Sequence, residues 1–284
     1  MRHPRFLCST VFGLVLAAAS LVPQPAWAGT LWLGTDGAGF YYQIDTAGNL
    51  LSGPFNDGVP GETTGIAFDG TNLWTSSYLG TVTEHNGDGT GDLGNFFVNP
   101  AAALSEDMAW DGSRDLLWRI THSNGTGPGS FIQGFDRAGN LEHEYEMPVG
   151  VDGFLNMGGL GIAYDPTRDL LYASFCHAGC SGLADGVVLS VNPSDGTSSV
   201  LFLAGYATGG LGYDPGTDTL WVGDYGVVRN VDLSGAVNDT VSRPFGGNFA
   251  DGLEFVEAVP EPGTLTLLGT GLVGLAAFLK KRNA

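Results

Sequence analysis

This sequence predicts an all-β fold, a single five-bladed β-propeller in which a C-terminal strand completes the first blade, flanked by an N-terminal signal peptide and a C-terminal transmembrane helix. Three observations predict the ring. The stretch Gly161-Ile-Ala-Tyr-Asp-Pro-Thr-Arg-Asp-Leu-Leu-Tyr172 recurs in recognisable form at roughly even intervals along the chain. Self-similarity at a fixed period means stacked supersecondary units that bury their apolar faces against one another. Short alternating runs bounded by Gly, Asn and Asp, with no long helical periodicity between the two ends, make those units β-structure. Finally, the last copy is split: Gly252-Leu-Glu-Phe-Val256 lies near the C-terminus, while its second half, Thr30-Leu-Trp32, opens the body. Joining the halves closes the ring and removes its free edges.

The first unit is read as Leu31–Gly34, Phe40–Ile44 and Leu50–Leu51, three strands lacking an innermost one. The second has Gly65–Phe68, Leu73–Ser77, Thr81–Glu84 and Leu93–Val98. The third repeats this order with Met108–Trp110, Leu116–Ile120, Phe131–Phe135 and Leu141–Met147. The fourth runs Gly161–Tyr164, Leu170–Ser174, Val187–Val191 and Ser199–Leu203. In the fifth, Gly210–Tyr213, Leu220–Val222 and Val227–Val231 precede a strand near Thr240–Pro244, and Gly252–Val256 remains to fill the vacancy in the first. Four antiparallel strands in about 40 to 50 residues are the mark of a propeller blade.

Two aromatic positions recur with the repeat. Phe68, Trp110, Tyr164, Tyr213 and Phe255 precede the turn, and Trp32, Trp74, Trp118, Tyr172 and Trp221 follow it. They are expected to pack between blades. Asp69, Asp111, Asp165 and Asp214 stand where an Asp can accept from backbone N–H groups two residues on and so cap a tight turn. Val256 takes that place in the split copy, which a turn tolerates and a ring of calcium ligands would not.

Both ends read as targeting segments. Arg2 and Arg5, an apolar run from Phe6 to Val22, Pro23 and the triplet Ala26-Trp27-Ala28 form a signal peptide over residues 1–28, with Gly29 as the first mature residue. Residues 29–257 form the propeller, and residues 258–284 a separate C-terminal segment. There Val259-Pro-Glu-Pro-Gly263 leads into Thr264–Leu279, apolar apart from threonines and glycines, and then into Lys280-Lys281-Arg282. Such a stretch approaches the roughly 17 residues that just span a bilayer core, and the basic cluster after it favours a cytoplasmic tail.

Pro260, Glu261 and Pro262, with the helix and basic tail that follow, resemble the PEP-CTERM sorting signal of exported Gram-negative proteins. The resemblance implies processing by exosortase, a membrane protease-transpeptidase, with the inner membrane a transient partner through residues 264–279. It also implies a destination at the cell surface or beyond it, in the company of exopolysaccharide or other exported proteins.

Charge narrows the partners. Between Gly29 and Ala258 there are six arginines, no lysine and 29 acidic residues, a net charge of −23. Such a body is repelled by phosphate backbones, so nucleic acid is not expected as a partner. Cys8 falls in the signal peptide, leaving Cys176 and Cys180 as an isolated pair for which an oxidising compartment favours a disulfide. A metal site on Cys176, His177 and Cys180 is the alternative, although no second ligand cluster accompanies it.

In a propeller the connections entering the innermost strands, and those between second and third strands, gather on one face around the channel. Glu62, Glu106, Asp107, Asp152 and Asp251 belong to that face and are the candidate ligand or calcium-binding residues, calcium being the one cofactor the composition invites. His122, His177, Asp36, Tyr78, Asp224 and Tyr225 join them from the other connections. Asn86-Gly-Asp88-Gly-Thr90-Gly-Asp92 spaces oxygens as a calcium loop does but lacks the later glutamate. No G-x-S-x-G, H-E-x-x-H or body lysine supplies a nucleophile signature, so no catalytic residue is assigned. Two functions follow: a non-catalytic surface or matrix protein binding glycan, calcium or another protein, or a calcium-dependent hydrolase or lactonase at the acidic channel mouth.

Overall fold

The computed structural model describes residues 29–35, 39–56, 58, 62–97, 103–123, 129–148, 150–151, 154–155, 158–176, 185–245 and 249–257. The signal peptide, the membrane segment and the sorting motif expected from the sequence lie outside them. Residues Gly29–Glu257 make one compact unit, a five-bladed β-propeller.

Blade 1 contains β1 (Thr30–Gly34), β2 (Tyr41–Asp45) and β3 (Leu50–Phe55). Blade 2 is β4 (Thr63–Phe68), β5 (Asn72–Ser77), β6 (Thr81–Asn86) and β7 (Gly94–Phe97). Blade 3 is β8 (Ala103–Asp111), β9 (Leu116–Ser123), β10 (Phe131–Phe135) and β11 (Leu141–Glu146). A two-residue pair, β12 (Gly150–Val151) with β13 (Phe154–Leu155), follows, which the sequence reading missed because strands that short carry no periodicity. Blade 4 is β14 (Gly158–Asp165), β15 (Leu170–Cys176), β16 (Gly186–Val191) and β17 (Ser198–Ala204). Blade 5 is β18 (Leu211–Asp214), β19 (Thr219–Gly223), β20 (Val227–Asp232) and β21 (Val237–Ser242). The last strand, β22 (Leu253–Val256), pairs antiparallel with β1 from Thr30↔Val256 to Leu33↔Leu253 and supplies the innermost strand of blade 1.

The innermost strands β22, β4, β8, β14 and β18 neighbour one another in a closed circle, as the split repeat requires. Two outer strands shift: that of blade 1 runs on from Leu50 to Phe55, past the expected Leu51, and that of blade 5 begins at Val237, directly after a hairpin turn, and ends at Ser242 rather than reaching Pro244, which has no N–H for the ladder. The innermost strands β8 and β14 are also longer than expected, starting several residues before the repeat motif.

Five apolar clusters fill the five inter-blade spaces, and each takes one aromatic of each recurring kind. Trp32 and Phe68 meet between blades 1 and 2, Trp74 and Trp110 between blades 2 and 3, and Trp118 and Tyr164 between blades 3 and 4. Tyr172 meets Tyr213 between blades 4 and 5, and Trp221 meets Phe255 where blade 5 returns to blade 1. The repeat is therefore a packing code: the second-strand aromatic fills the space toward the following blade and the first-strand aromatic the space toward the preceding one. Burying such rings supplies most of the inter-blade stabilisation.

The four recurring aspartates cap their turns as expected, and three of them, Asp69, Asp111 and Asp165, also hold the aromatic that follows. Asp111 Oδ1 accepts from Ser113 N at 2.9 Å while its Oδ2 accepts from the indole of Trp118 at 3.3 Å. Asp69 holds the indole of Trp74 at 3.0 Å, and Asp165 holds the hydroxyl of Tyr172 at 2.9 Å. Three of these turns pass through a left-handed Asp, at Asp115, Asp169 and Asp218, with φ of 58°, 55° and 57°, a conformation Asp tolerates better than most residues. Arginines reach from one blade to the next at this level. Arg114 of blade 3 forks onto Asp169 of blade 4 at 2.6 and 2.8 Å, and Arg168 of blade 4 onto Asp218 of blade 5 at 2.7 and 2.6 Å. Between blades 2 and 3, Arg137 binds Asp69 at 2.6 Å and covers the Trp110 ring at 4.4 Å.

These clamps make the ring acid-sensitive. The fork from Arg114 holds the Asp169 carboxyl below its usual range, and that from Arg168 does the same for Asp218. A carboxyl with a depressed folded pKa contributes stability that is present above its unfolded value, near 4, and is lost as pH falls through the folded pKa. The melting temperature should therefore fall below about pH 4. Arg114→Ala should flatten part of that dependence. An unchanged pH profile for the variant would mean that the forks contribute nothing, as many exposed pairs do.

Candidate functional site

The five innermost strands neighbour one another around the ring, and the residue that begins the repeat sits where each blade closely approaches the next. Four of the five are glycines, Gly65, Gly161, Gly210 and Gly252; the fifth is Asp107. Space enforces this: a Cβ on Gly161 would lie 2.1 Å from the Gly209 carbonyl oxygen, and one on Gly252 2.6 Å from that of Thr64.

Asp107 was expected at the channel mouth. The structure buries it completely inside the ring. Its Oδ1 accepts from the amides of Met108 at 2.8 Å, Leu253 at 3.3 Å and Ile66 at 3.4 Å. Its Oδ2 accepts from Leu211 at 2.9 Å and Ile162 at 3.3 Å. Each donor comes from a different blade, so one carboxylate ties all five together. Burial pushes the Asp107 carboxyl well above the usual range, against the amide donors, which favour the ionised form. With both oxygens surrounded by donors, Asp107 has no lone pair directed at solvent or substrate.

The other candidates lie around it without converging. Glu106 is buried, its Oε1 3.6 Å from Nδ1 of His122, and burial lowers the His122 pKa, which favours the neutral imidazole there. Glu62 is half-buried and its carbonyl accepts from Tyr78 N at 2.9 Å; Asp251 is buried beside the start of β22. Neither of these side chains is free of partners. Asp224 is taken up by Arg229 at 2.9 and 3.1 Å, and Tyr225 meets Phe249 edge-on at 4.7 Å. Asp152, Asp36 and His177 lie outside the described residues. Among the described residues no group of three or more His, Cys, Asp or Glu side chains is arranged to hold a metal ion.

The glycine-rich segment from Asn86 to Asp92 is a hairpin whose oxygens serve its own backbone. Asp88 Oδ1 accepts from Thr90 N at 2.9 Å and from its hydroxyl at 2.6 Å, and Asp92 accepts from Gly94 N at 3.0 Å. The same device recurs at Asp45, Asp136 and Asp232, where Oδ1 accepts from the amides two and four residues on. These carboxylates cap turns. Cys176 is disulfide-bonded, while Cys180, its expected partner, lies outside the described residues.

The axial role of Asp107 and the Arg–Asp forks were not anticipated from the sequence. A signal for the first was present: an Asp where every other copy has Gly. For the forks it was Arg114-Asp115 and Arg168-Asp169 at matching places in the repeat.

Residues 258–282 match the family model of the PEP-CTERM protein-sorting motif, so the chain ends in such a motif. No curated protein matches the chain. Among solved structures, a chain from the crystal structure of a nidogen/laminin complex is similar over 82% of this chain and 100% of that one, at 13% identity and a TM-score of 0.52. The crystal structure of Myxococcus xanthus glutaminyl cyclase is similar over 64% of this chain and 70% of that one, at 15% identity and a TM-score of 0.46. Likeness at such identities concerns the fold alone.

Proposed function

We propose that the chain is an exported cell-surface or extracellular-matrix protein whose propeller is a non-catalytic binding or structural module. The observation that carries this is the PEP-CTERM motif over residues 258–282, which implies export and processing by exosortase. In this proposal residues 1–28 are the signal peptide, residues 29–257 the body, and residues 264–279 hold the precursor in the inner membrane. An exosortase-type enzyme then acts at or near Pro260-Glu261-Pro262 and releases the body to the surface. The body has a net charge of −23, and its six arginines are engaged within the ring, so anionic polymers are poor ligands. Neutral exopolysaccharide or another exported protein suits it better. No calcium-dependent hydrolase is proposed, because Asp107 is saturated by backbone amides and the remaining described candidates do not gather around a common point.

Mass spectrometry of the surface form tests the destination. The expected mass ends near Pro262; a surface protein that keeps Lys280-Lys281-Arg282 would overturn the processing step.

A further inference from the structure

We propose that blade 3 carries a saccharide site, a cavity of about 420 Å³ lined by Arg114, Asp115, Leu116, Asp136, Glu142 and His143, whose ligand is a neutral hexose unit of a glycan. The choice of ligand rests on the glycan-binding reading proposed above; the cavity itself does not.

The cavity lies where the turn between β8 and β9, which supplies Arg114 and Asp115, meets the hairpin between β10 and β11, which begins at Asp136. Alternation along a strand would send Glu142 and His143 to opposite faces. A bulge changes that. Gly134 pairs with His143 and Phe135 with Leu141, so Glu142 is an extra residue in β11, and bulges re-aim side chains in this way. Both residues line the cavity as a result. Bulges at the matching place in blades 1 and 5 carry Leu51-Ser52 and Asn238-Asp239, so the backbone device belongs to the repeat and the Glu-His pair to blade 3.

Neighbouring rings fix the imidazole. His143 stacks with Trp118 at 5.5 Å and 25° and with Tyr145 at 6.0 Å and 30°. Gly134 makes room for the indole, since a Cβ there would lie 3.0 Å from Trp118. The Tyr145 hydroxyl donates to the Pro193 carbonyl at 2.9 Å, so its oxygen accepts from His143 Nδ1 at 3.2 Å. That leaves Nε2 as the acceptor of the neutral ring, with no partner among the described residues.

Much of the lining is already committed. Asp136 caps its hairpin with Oδ1 and holds the Asn140 amide with Oδ2 at 2.7 Å, and Asp115 accepts from Arg137 at 3.0 Å. Arg114 uses Nη1 and Nη2 on Asp111, Asp169 and Ser194. Apart from the second oxygen of Asp115, whose charge Arg137 matches, the uncommitted groups are one donor, Arg114 Nε, and two acceptors, His143 Nε2 and the exposed Glu142 carboxylate. A metal ion would meet a guanidinium beside a single uncommitted, unmatched carboxylate, and an anion would meet that carboxylate in a body of charge −23. A sugar hydroxyl both accepts and donates, so vicinal hydroxyls can take the Arg114 N–H and give to Glu142 and His143. Leu116 and the imidazole supply the apolar surface on which the C–H face of a pyranose packs. The volume falls among those of small-molecule sites, about 300–1,000 Å³.

Calorimetric titration of the full chain, in a detergent without a sugar headgroup, tests this with neutral gluco-, galacto- and manno-hexasaccharides as probes. At least one should bind, and Glu142→Ala and His143→Ala should each weaken it about tenfold or more, the loss expected for a hydrogen bond to a charged or fixed polar group. Both positions are partly or fully exposed, so both variants should melt within a degree or two of the natural protein. Glu146→Gln, on the same strand but outside the cavity, should bind as the natural protein does. Binding that neither Glu142→Ala nor His143→Ala weakens would overturn the cavity and leave the glycan-binding reading standing. Binding of an oligogalacturonate or a chitosan oligomer at these residues, with every neutral probe failing, would overturn the ligand class. Failure of every probe would overturn the saccharide site together with the glycan-binding reading.

Discussion

Asp107→Gly, which restores the residue found at this position in every other copy of the repeat, is expected to be among the most destabilising single changes in the protein. Two effects oppose each other. Removing a fully buried carboxyl relieves its desolvation, which is large enough to push its pKa well up. Against that, five backbone amides from five blades lose their acceptor at once, in a space closed to bulk water. Each buried unsatisfied donor costs about 1–3 kcal/mol, so even with partial repair by an entering water the amides win by about 4 kcal/mol or more. For a body of this size, that lowers the melting temperature by roughly 10 °C or more. The variant also leaves a ring of convergent N–H groups around a carboxylate-sized gap. Formate or chloride should restore part of the lost stability to Asp107→Gly while leaving the natural protein unchanged. A variant that melts within a degree or two of the natural protein would show that Asp107 is not the tie between blades.

Deleting Asp251–Glu257 is expected to do more. It removes β22, and with it Leu253 and Phe255 from the cluster between blades 5 and 1. Large apolar side chains lost from a core cost about 2–5 kcal/mol each. It also leaves β1 with an unpaired inner edge and takes one donor from Asp107. The truncated body should lose its single cooperative transition, with blade 1 unfolded at temperatures where the natural protein is intact, and should expose strand edges that promote aggregation. Melting behaviour indistinguishable from that of the natural protein would sink the view that this strand closes the ring.

The architecture was legible because a propeller repeats its physics. One aromatic before each turn and one after it, at matching places in five copies, demanded five equivalent inter-blade spaces, and the orphan half-copy at the C-terminus could only belong to the incomplete first unit. Turn-capping by Asp69, Asp111, Asp165 and Asp214 was legible for the same reason, since a carboxylate two residues before an amide is a local interaction that needs no tertiary information. The sorting motif is likewise local, a matter of order and spacing along the chain.

What only the tertiary structure decided concerns groups far apart in sequence. The repeat marks Asp107 as the exception to Gly, but nothing in the sequence says what its carboxylate meets or how it differs in role from Glu106, its neighbour and fellow candidate. The pleat turns one toward the axis, where five amides meet it, and leaves the other beside His122. Arg114 and Asp169 are 55 residues apart, and Arg168 and Asp218 are 50 apart; only the rotation from one blade to the next brings each pair into a fork. The candidate carboxylates were gathered by a rule about which loops share a face. That rule places residues at a mouth, but whether side chains converge there depends on pleat, register and the partners already waiting for each oxygen.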